Sequence, residues 1–181
     1  MQEEHRLALE AQKGDREAFA VLAGTYYDRL YRWLYHLTRD RHGAEDLAQE
    51  TLLKAYSALD RFEAGSNFRA WLFRIAYNSF VNHRRSTLRQ REGLPEHLTD
   101  DDDSPLEQAA QREARELLAR AIQRLPTDYR SAFLLRVEEG LSFRQIATAL
   151  GLTEETARWR VFKARQRLLK TLAPSLEQEK P

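Results

Sequence analysis

The sequence predicts an all-α fold made of two small helical domains joined by an acidic, flexible linker. Apolar residues recur at helical spacing over most of the 181 residues, without the alternation typical of strands. Residues 141–170 have the spacing of a helix-turn-helix. Residues 92–103 contain glycine, proline and aspartates but few apolar side chains, which is typical of a linker.

The apolar spacing predicts four helices before the linker, near residues 7–11, 15–38, 44–59 and 68–90. Gly14 ends the first helix, and Asp15 can cap the second. Residues 65–67 interrupt the pattern before the fourth helix. Within that helix, Trp71 shares the spacing of core residues, whereas Tyr77 and Phe80 are candidates for exposed aromatic side chains.

The second half begins with a clear helix-start signal. Residues 104–107 (SPLE) combine a capping box with proline at the first helical position. The helix that starts there ends near Pro126. A further helix is predicted from about Thr127 to Glu139, and Gly140 ends it.

The helix-turn-helix follows. Ser142 can cap its first helix, with Gln145 at the capping-box position. Gly151 allows the tight turn between the two helices, and Thr153 can cap the second helix. We expect core positions at Leu141, Ile146, Leu150, Leu152, Val161 and Leu168.

The second helix of this motif is basic. No acid occurs between Glu155 and Glu177, and the cations in that interval are Arg158, Arg160, Lys163, Arg165, Arg167 and Lys170. A helix that enters the major groove needs small polar residues at its start and cations for the phosphates. A helical hairpin with a solvated basic face is the alternative interpretation.

The charge distribution supports nucleic-acid binding more than the net charge of +1 does. Residues 64–91 contain six arginines and no acid, and residues 156–176 form a second acid-free stretch. Four consecutive aspartates, Asp100–Asp103, lie between the two. Near-neutrality therefore conceals two basic patches and one acidic segment.

Composition and motifs argue against an enzyme. Without cysteine the chain has no disulfide, thiolate zinc site or thiol nucleophile, which fits a reducing cytoplasm. It has no P-loop, GxGxxG or HExxH motif, and its five histidines are scattered. No apolar run approaches the ~18 residues that span a membrane. We therefore expect neither catalysis nor a metal or cofactor.

Three segments, in this order, resemble the extracytoplasmic-function (ECF) sigma factors of the sigma-70 family. They are residues 14–56 (GDREAF…LLKAY), residues 61–85 (RFEAGSNFRAWLFRIAYNSFVNHRR) and residues 125–168 (LPTDYR…KARQRL). The resemblance implies a region 2 domain at 1–91, a linker at 92–104, a region 4 domain at 105–172 and a tail at 173–181. It implies a factor that binds core bacterial RNA polymerase, recognises a bipartite promoter and melts DNA.

The resemblance also implies partners. The third helix is expected to dock on the clamp helices of the largest polymerase subunit through Glu45, Asp46, Gln49 and Glu50. Carboxylates there can pair with arginines of the polymerase. Charge alone favours an ordinary solvated helix face, and only the resemblance favours docking. Leu47 and Leu52 are expected in the core. The other implied partners are the flap of the second-largest subunit, promoter DNA in duplex and single-stranded form, and an anti-sigma factor.

Holding unstacked bases requires small polar groups, aromatic platforms and cations. The positions that match the minus-ten loop and helix of the family supply these groups, and they are Phe62, Gly65, Ser66, Asn67, Arg74, Asn78, Asn82, Arg84 and Arg85. Phe62 to Asn67 can shape a pocket for an extruded base. The amides of Asn78 and Asn82 can contact base edges.

The implied minus-thirty-five contacts are Thr153, Arg158, Trp159, Phe162, Lys163 and Arg165. Arginine can bind guanine with two hydrogen bonds, and an aromatic edge can contact a thymine methyl. The family usually has a small residue in place of Trp159 and commonly a valine in place of Ala157. Trp159 therefore packs either on bases or on the neighbouring helix.

Two other functions remain open at this point. A stand-alone regulator would bind duplex DNA as a dimer through residues 141–170 and need no polymerase. A helical interaction module would only sequester a partner protein. Association with core polymerase, and a specific transcription start, distinguish an initiation factor from both.

Overall fold

The computed structural model describes residues 2–63, 65–90 and 109–178, and within these ranges helices joined by short turns and loops are found, without strands. The helices are α1 (Gln2–Gln12), α2 (Arg16–Thr38), α3 (Arg41–Ser57), α4 (Phe68–Gln90), α5 (Ala109–Gln123), α6 (Thr127–Val137), α7 (Phe143–Leu150) and α8 (Glu154–Gln178). A single 3-10 turn lies at Leu59–Arg61. The predicted linker and the helix start at residues 104–107 lie outside the described residues.

Capping signals set most of the helix ends, as predicted. The Asp15 carboxylate accepts the backbone N–H groups of Glu17 and Ala18. Ser142 and Gln145 form the capping box of α7, and Gly151 ends that helix at φ 66°. The prediction was wrong for α3, which begins three residues earlier. Its start is set by the extended backbone of Asp40, whose side chain makes no capping bond.

Helix α2 is the centre of the first half. Its buried face contains Leu22, Tyr26, Leu30 and Trp33, at the spacing that the sequence shows, and α1, α3 and α4 pack around it. The ring of Trp33 meets that of Phe73 edge-on, with centroids 5.3 Å apart. Aromatic pairs in this geometry stabilise a core beyond the area that they bury.

Helices α6 and α8 form the centre of the second half. Helix α6 is buried from Arg130 to Leu135. Helix α8 packs against it through Ala157, Val161 and Ala164, which recur every three or four residues. The small alanines allow the two helices to approach closely, and α5 and α7 pack on the remaining sides of α8.

The two halves pack against each other, α4 on α7 and α2 on α6, which the sequence did not predict. Trp33 Nε1 donates to the carbonyl oxygen of Ser131 at 3.4 Å. The Arg29 guanidinium lies 2.6 Å from the carboxylate of Glu139, whose side chain is 3% exposed. A buried carboxylate is costly unless it is paired, so this ion pair fixes the relative position of the halves.

Arg69 connects four elements at the same junction. Its guanidinium donates to Glu139 O at 2.7 Å, to the carboxylate of Glu4 at 3.0 Å and to the Tyr26 hydroxyl at 3.3 Å. Burial raises the pKa of Tyr26 to about 12, so its hydroxyl stays protonated as a donor. Helices α1, α2 and α4 are thus tied to the connection between α6 and α7.

Candidate polymerase and nucleic-acid interfaces

Helix α3 is amphipathic. One face, which includes Leu47, Thr51 and Ala55, is buried against the rest of the first half. The opposite face exposes Glu45, Asp46 and Gln49, with Glu50 at its edge. The structure therefore brings the four predicted polymerase-binding residues together on one surface, which we call the α3 acidic face.

Two basic residues lie beside the carboxylates of this face. His42 Nδ1 lies 3.9 Å from the Glu45 carboxylate. Lys54 pairs with Glu50 and also donates to the Ser79 hydroxyl of α4 at 3.0 Å. Within the described residues Asp46 makes no ion pair, so it presents the least compensated carboxylate of the α3 acidic face.

Leu53 extends this face and was missed in the sequence. Its side chain is 69% exposed, seven residues after Asp46 and three after Glu50. These spacings place all three on one side of a helix. An exposed apolar side chain with polar groups around it fits a protein-binding surface, which has an apolar centre and a polar rim. The heptad spacing from Asp46 was the signal that could have identified it.

Phe62 does not face a DNA strand, in contrast to its predicted role. Its side chain is 2% exposed and packs on the rings of Phe68 and Trp71, with centroids 5.6 and 5.3 Å away. The reason is that α1 and the start of α4 enclose the turn after α3, and His5 lies on the same ring at 6.3 Å. The buried ring of Phe62 thus attaches the start of the loop to the core.

The loop after Phe62 exposes small polar groups, as predicted. Gly65 has φ 94°, a conformation that residues with a Cβ rarely adopt, and it is exposed together with Ser66. The Asn67 side-chain oxygen accepts the Ala70 N–H at 2.8 Å and so caps α4. Since capping occupies that oxygen, the amide nitrogen is the group that Asn67 can offer to a base.

Helix α4 carries an exposed polar stripe. Arg74, Asn78 and Asn82 follow one another at four-residue intervals and are all exposed, as are Arg84 and Arg85. Phe80 was wrongly predicted as exposed, because only 4% of it is accessible. Tyr77 is partly exposed, and Trp71 is partly buried against the core.

Helix α8 exposes the predicted recognition residues. Trp159 is 48% exposed and Phe162 54%, and Arg158 and Arg165 are exposed as well. The Thr153 hydroxyl accepts the Thr156 N–H at 3.1 Å and caps the helix. Arg160, in contrast, pairs with Asp128 of α6 at 3.1 Å. It therefore serves packing within this half.

Trp159 packs on the neighbouring helix and is still about half exposed. Its ring meets that of Tyr129 on α6 edge-on at 5.5 Å, and about half of it remains exposed. The Lys163 ammonium lies 5.9 Å from the ring centroid, within cation–π distance. Trp159 is thus held in place by α6 while one side stays available.

Arg158 is held at the start of α8. Its guanidinium lies 3.1 Å from the Glu154 carboxylate and 4.9 Å from the centroid of the Phe143 ring on α7. Both helices of the motif thus orient this side chain. An oriented guanidinium loses less freedom when it binds a base edge.

Other site types receive no support from the described residues. No group of three or more His, Cys, Asp or Glu side chains is arranged there to hold a metal ion. None of the described helices combines the length and the apolar run that crossing a bilayer requires. The exposed surfaces of α3, α4 and α8 remain the candidate sites.

Comparison with known proteins matches both halves. A family model described as sigma-70 region 2 matches residues 22–90, and one described as sigma-70, region 4, matches residues 115–168. The first model covers α3 and α4, and the second covers the helix-turn-helix. The three candidate surfaces therefore lie within the matched regions.

Similarity extends over nearly the whole chain. The RNA polymerase sigma-H factor of Pseudomonas aeruginosa is 35% identical, covering 98% of this chain and 97% of that protein. The ECF RNA polymerase sigma-E factor of Haemophilus influenzae is 30% identical, covering 90% and 92%. The sigma factor RpoE of Bartonella quintana, solved in complex with the anti-sigma factor NepR, is 30% identical with a TM-score of 0.72, covering 86% and 96%. The chain therefore belongs to the ECF sigma factors, a group of transcription initiation factors within the sigma-70 family.

Proposed function

We propose that this initiation factor binds the polymerase clamp through α3 and promoter DNA through α4 and α8. The observation that carries the proposal is that α3, α4 and α8 each expose side chains of the chemistry required. The α3 acidic face would dock on the clamp helices of the largest polymerase subunit, and Leu53 would add apolar contact at its edge. The second half would contact the flap of the second-largest subunit.

The loop from Glu63 to Asn67 and the α4 stripe would hold the minus-ten element in single-stranded form. Gly65 and Ser66 leave backbone and hydroxyl groups exposed beside the start of α4. Arg74, Asn78 and Asn82 follow along one line, so one cation and two amides would lie on the path of a strand. An unstacked base bound in the loop would stabilise the melted promoter.

Helix α8 would bind the minus-thirty-five element in the major groove. Arg158 and Trp159 lie in its first two turns, where side chains of a recognition helix meet base edges. Arg165 lies two turns further along and suits a phosphate. Such a division lets a few contacts determine the sequence while others determine affinity.

The two halves have to separate for both elements to be bound at once. Elements at minus ten and minus thirty-five lie about 25 base pairs apart, which is about 85 Å of duplex. A compact chain of this length has a diameter of about 40 Å. We therefore infer that the packing of α4 on α7 belongs to a resting state, and that opening accompanies promoter binding.

An anti-sigma factor is a further proposed partner. It is supported by the RpoE relative, which was solved with one bound. Such a partner would bind the chain in the cytoplasm and compete with polymerase.

The proposed function is tested by transcription from a promoter library. Purified chain is added to core polymerase on templates with randomised upstream and downstream elements. We expect polymerase-dependent transcripts with a common start and two enriched sequence elements. Binding of a duplex sequence by the free chain, with no transcript, would instead support the stand-alone regulator, and capture of a partner alone would support the sequestering module.

A further inference from the structure

Gln12, the last residue of α1, contacts the loop proposed to hold the minus-ten base. Its side-chain nitrogen lies 2.8 Å from the carbonyl oxygen of Leu59 and 2.9 Å from that of Phe62. The carbonyl of Asp60 is more distant, at 3.4 Å. A primary amide has two N–H donors, so both are used on backbone carbonyls of one turn.

These bonds fix the backbone where the exposed loop begins. The turn itself is a single 3-10 turn, closed by the bond from Phe62 N to Leu59 O at 3.0 Å. One isolated turn of this type is weak by itself. Gln12 adds two bonds to it from a helix that is distant in sequence, and Phe62 adds a buried ring beneath it.

The loop is thereby held at both ends. At its far end the Asn67 cap and Phe68 start α4, and Ser66 N donates to Glu63 O at 3.0 Å across the loop. At its near end, Gln12 and Phe62 are the contacts that connect it to the rest of the fold. Gly65, with its wide conformational range, lies between the two anchors.

Helix α1 lies before the region that the region 2 family model matches, which starts at residue 22. Its Ala8 and Ala11 are buried against α2, so the helix is part of the core and does not move independently. It therefore provides a rigid base from which the Gln12 side chain reaches the loop.

We propose that Gln12 is a positioning residue for minus-ten recognition, which holds the loop from Glu63 to Asn67 in the geometry that accepts an unstacked base. This rests on the proposed function of that loop. A pre-formed loop loses less conformational freedom when it binds than a mobile one does. Both bonds are only partly buried, so we expect the fold to persist and the loop to relax when the donors are replaced.

Three substitutions of Gln12 weaken its hydrogen bonds to the loop to different degrees. Gln12→Met keeps the length and removes both donors. Gln12→Asn keeps the amide on a chain one methylene shorter, so that it reaches the carbonyls less well. Gln12→Glu keeps the shape and places an acceptor against carbonyls. Arg6→Ala, which breaks only an exposed ion pair with Glu10 on the same helix, is the matched control.

The test uses each variant bound to core polymerase. A single-stranded oligonucleotide is first selected from a randomised pool by the parent holoenzyme, and its dissociation constant is then measured for every variant. Affinity for core polymerase and for upstream duplex is measured in parallel. We expect about a tenfold loss of oligonucleotide affinity for Gln12→Met, more for Gln12→Glu and less for Gln12→Asn, with the other two affinities unchanged. Arg6→Ala should match the parent.

Hydrogen exchange in the free chain gives a second readout. The N–H groups of Phe62 and Ser66 should exchange faster in Gln12→Met than in the parent, with α8 unaffected. Parent-like affinity for the oligonucleotide in Gln12→Met would overturn the proposal. So would an equal loss of all three affinities, because it would indicate a role in folding alone. If the parent selects no oligonucleotide, the proposed role of the loop itself fails, and this inference fails with it.

Discussion

We expect Arg158 and Arg165 to separate base recognition from phosphate binding on one helix. Arg158 is oriented by Glu154 and Phe143 near the start of α8, and Arg165 lies two turns later. We expect Arg158→Ala to cost about 1–3 kcal/mol and to flatten the preference at one or two base pairs. Arg165→Ala should weaken binding to all DNA sequences alike. It should also lower, by about one, the slope of log affinity against log salt concentration.

Selection from a randomised upstream element with each holoenzyme, followed by salt titrations, measures both effects. The pair serves as its own control, since each variant removes one exposed arginine from the same helix. If the Arg158→Ala holoenzyme selects the parent sequence with the parent stringency, Arg158 makes no specific base contact.

We expect His36 to give the junction of the two halves a pH dependence. Burial lowers the pKa of His36 below its usual 6.5, and the nearby Arg130 and Arg32 lower it further. As the pH falls below about 6.5, the unfolded chain therefore binds a proton at His36 before the folded chain does. The free energy of unfolding should decrease over this range, and His36 should cost no stability above it.

Glu138, whose carboxylate lies 3.7 Å from His36 Nε2, acts in the opposite direction. Burial raises the pKa of Glu138 above 4.5, so its protonated form adds stability that is lost as the pH rises through that raised value. Urea titrations between pH 7.5 and 5.5 should show a shallower pH dependence for His36→Gln than for the parent. Exposed His83→Gln is the matched control. Equal slopes for the parent and His36→Gln would contradict this account.

At the scale of single elements, α3 offers the clearest test of polymerase binding. Asp46→Lys combined with Glu50→Lys should weaken binding to core polymerase by about 2–5 kcal/mol, because cationic side chains of the polymerase would lose the carboxylates with which they pair. Helicity should persist, since Asp46 is exposed and Glu50 lies at the edge of the face. A direct titration of labelled chain with core polymerase measures the loss.

Glu3→Lys reverses an exposed acid on α1 and is the matched control for added charge. Leu53→Ala should also weaken binding without loss of stability, since the side chain is already 69% exposed. If the double variant binds core polymerase as tightly as the parent does, the α3 acidic face is not part of the polymerase interface.

The elements also show what the sequence could and could not predict. Helices with strong caps, such as α2 and α7, begin and end where expected because local hydrogen bonds determine their ends. The burial of Phe80 could not be predicted from the sequence, because α4 is buried on two sides, against α3 and against α7. A periodic pattern identifies one apolar face and cannot show that a distant part of the chain covers a second one.

Hydrogen bonds and ion pairs between side chains and groups far away in the sequence could not be predicted either. Gln12 contacts carbonyls 47 and 50 residues away, and Arg29 pairs with Glu139 from the other half. Neither residue lies in a motif whose spacing predicts a partner. The exposed stripe of α4 was predictable because Arg74, Asn78 and Asn82 repeat at the helical period, which depends on local geometry alone.

At the scale of the whole molecule, the chain should open when it binds a promoter. The chain lacks cysteine, so Ser57→Cys on α3 and Thr171→Cys on α8 provide the only two thiols for spin labels. We expect the distance between them to increase by some tens of ångströms in the promoter complex, since the elements lie about 85 Å apart along the duplex. An unchanged distance would contradict separation of the halves.

We expect this chain to melt a promoter only as part of RNA polymerase. The most direct test measures permanganate reactivity of thymines in the downstream element, on one selected promoter, with free chain, with core polymerase and with both. We predict reactive thymines only when both are present, and weak binding of the duplex by the free chain at physiological salt. Tight, specific binding by the free chain, with no melting when polymerase is added, would contradict the account.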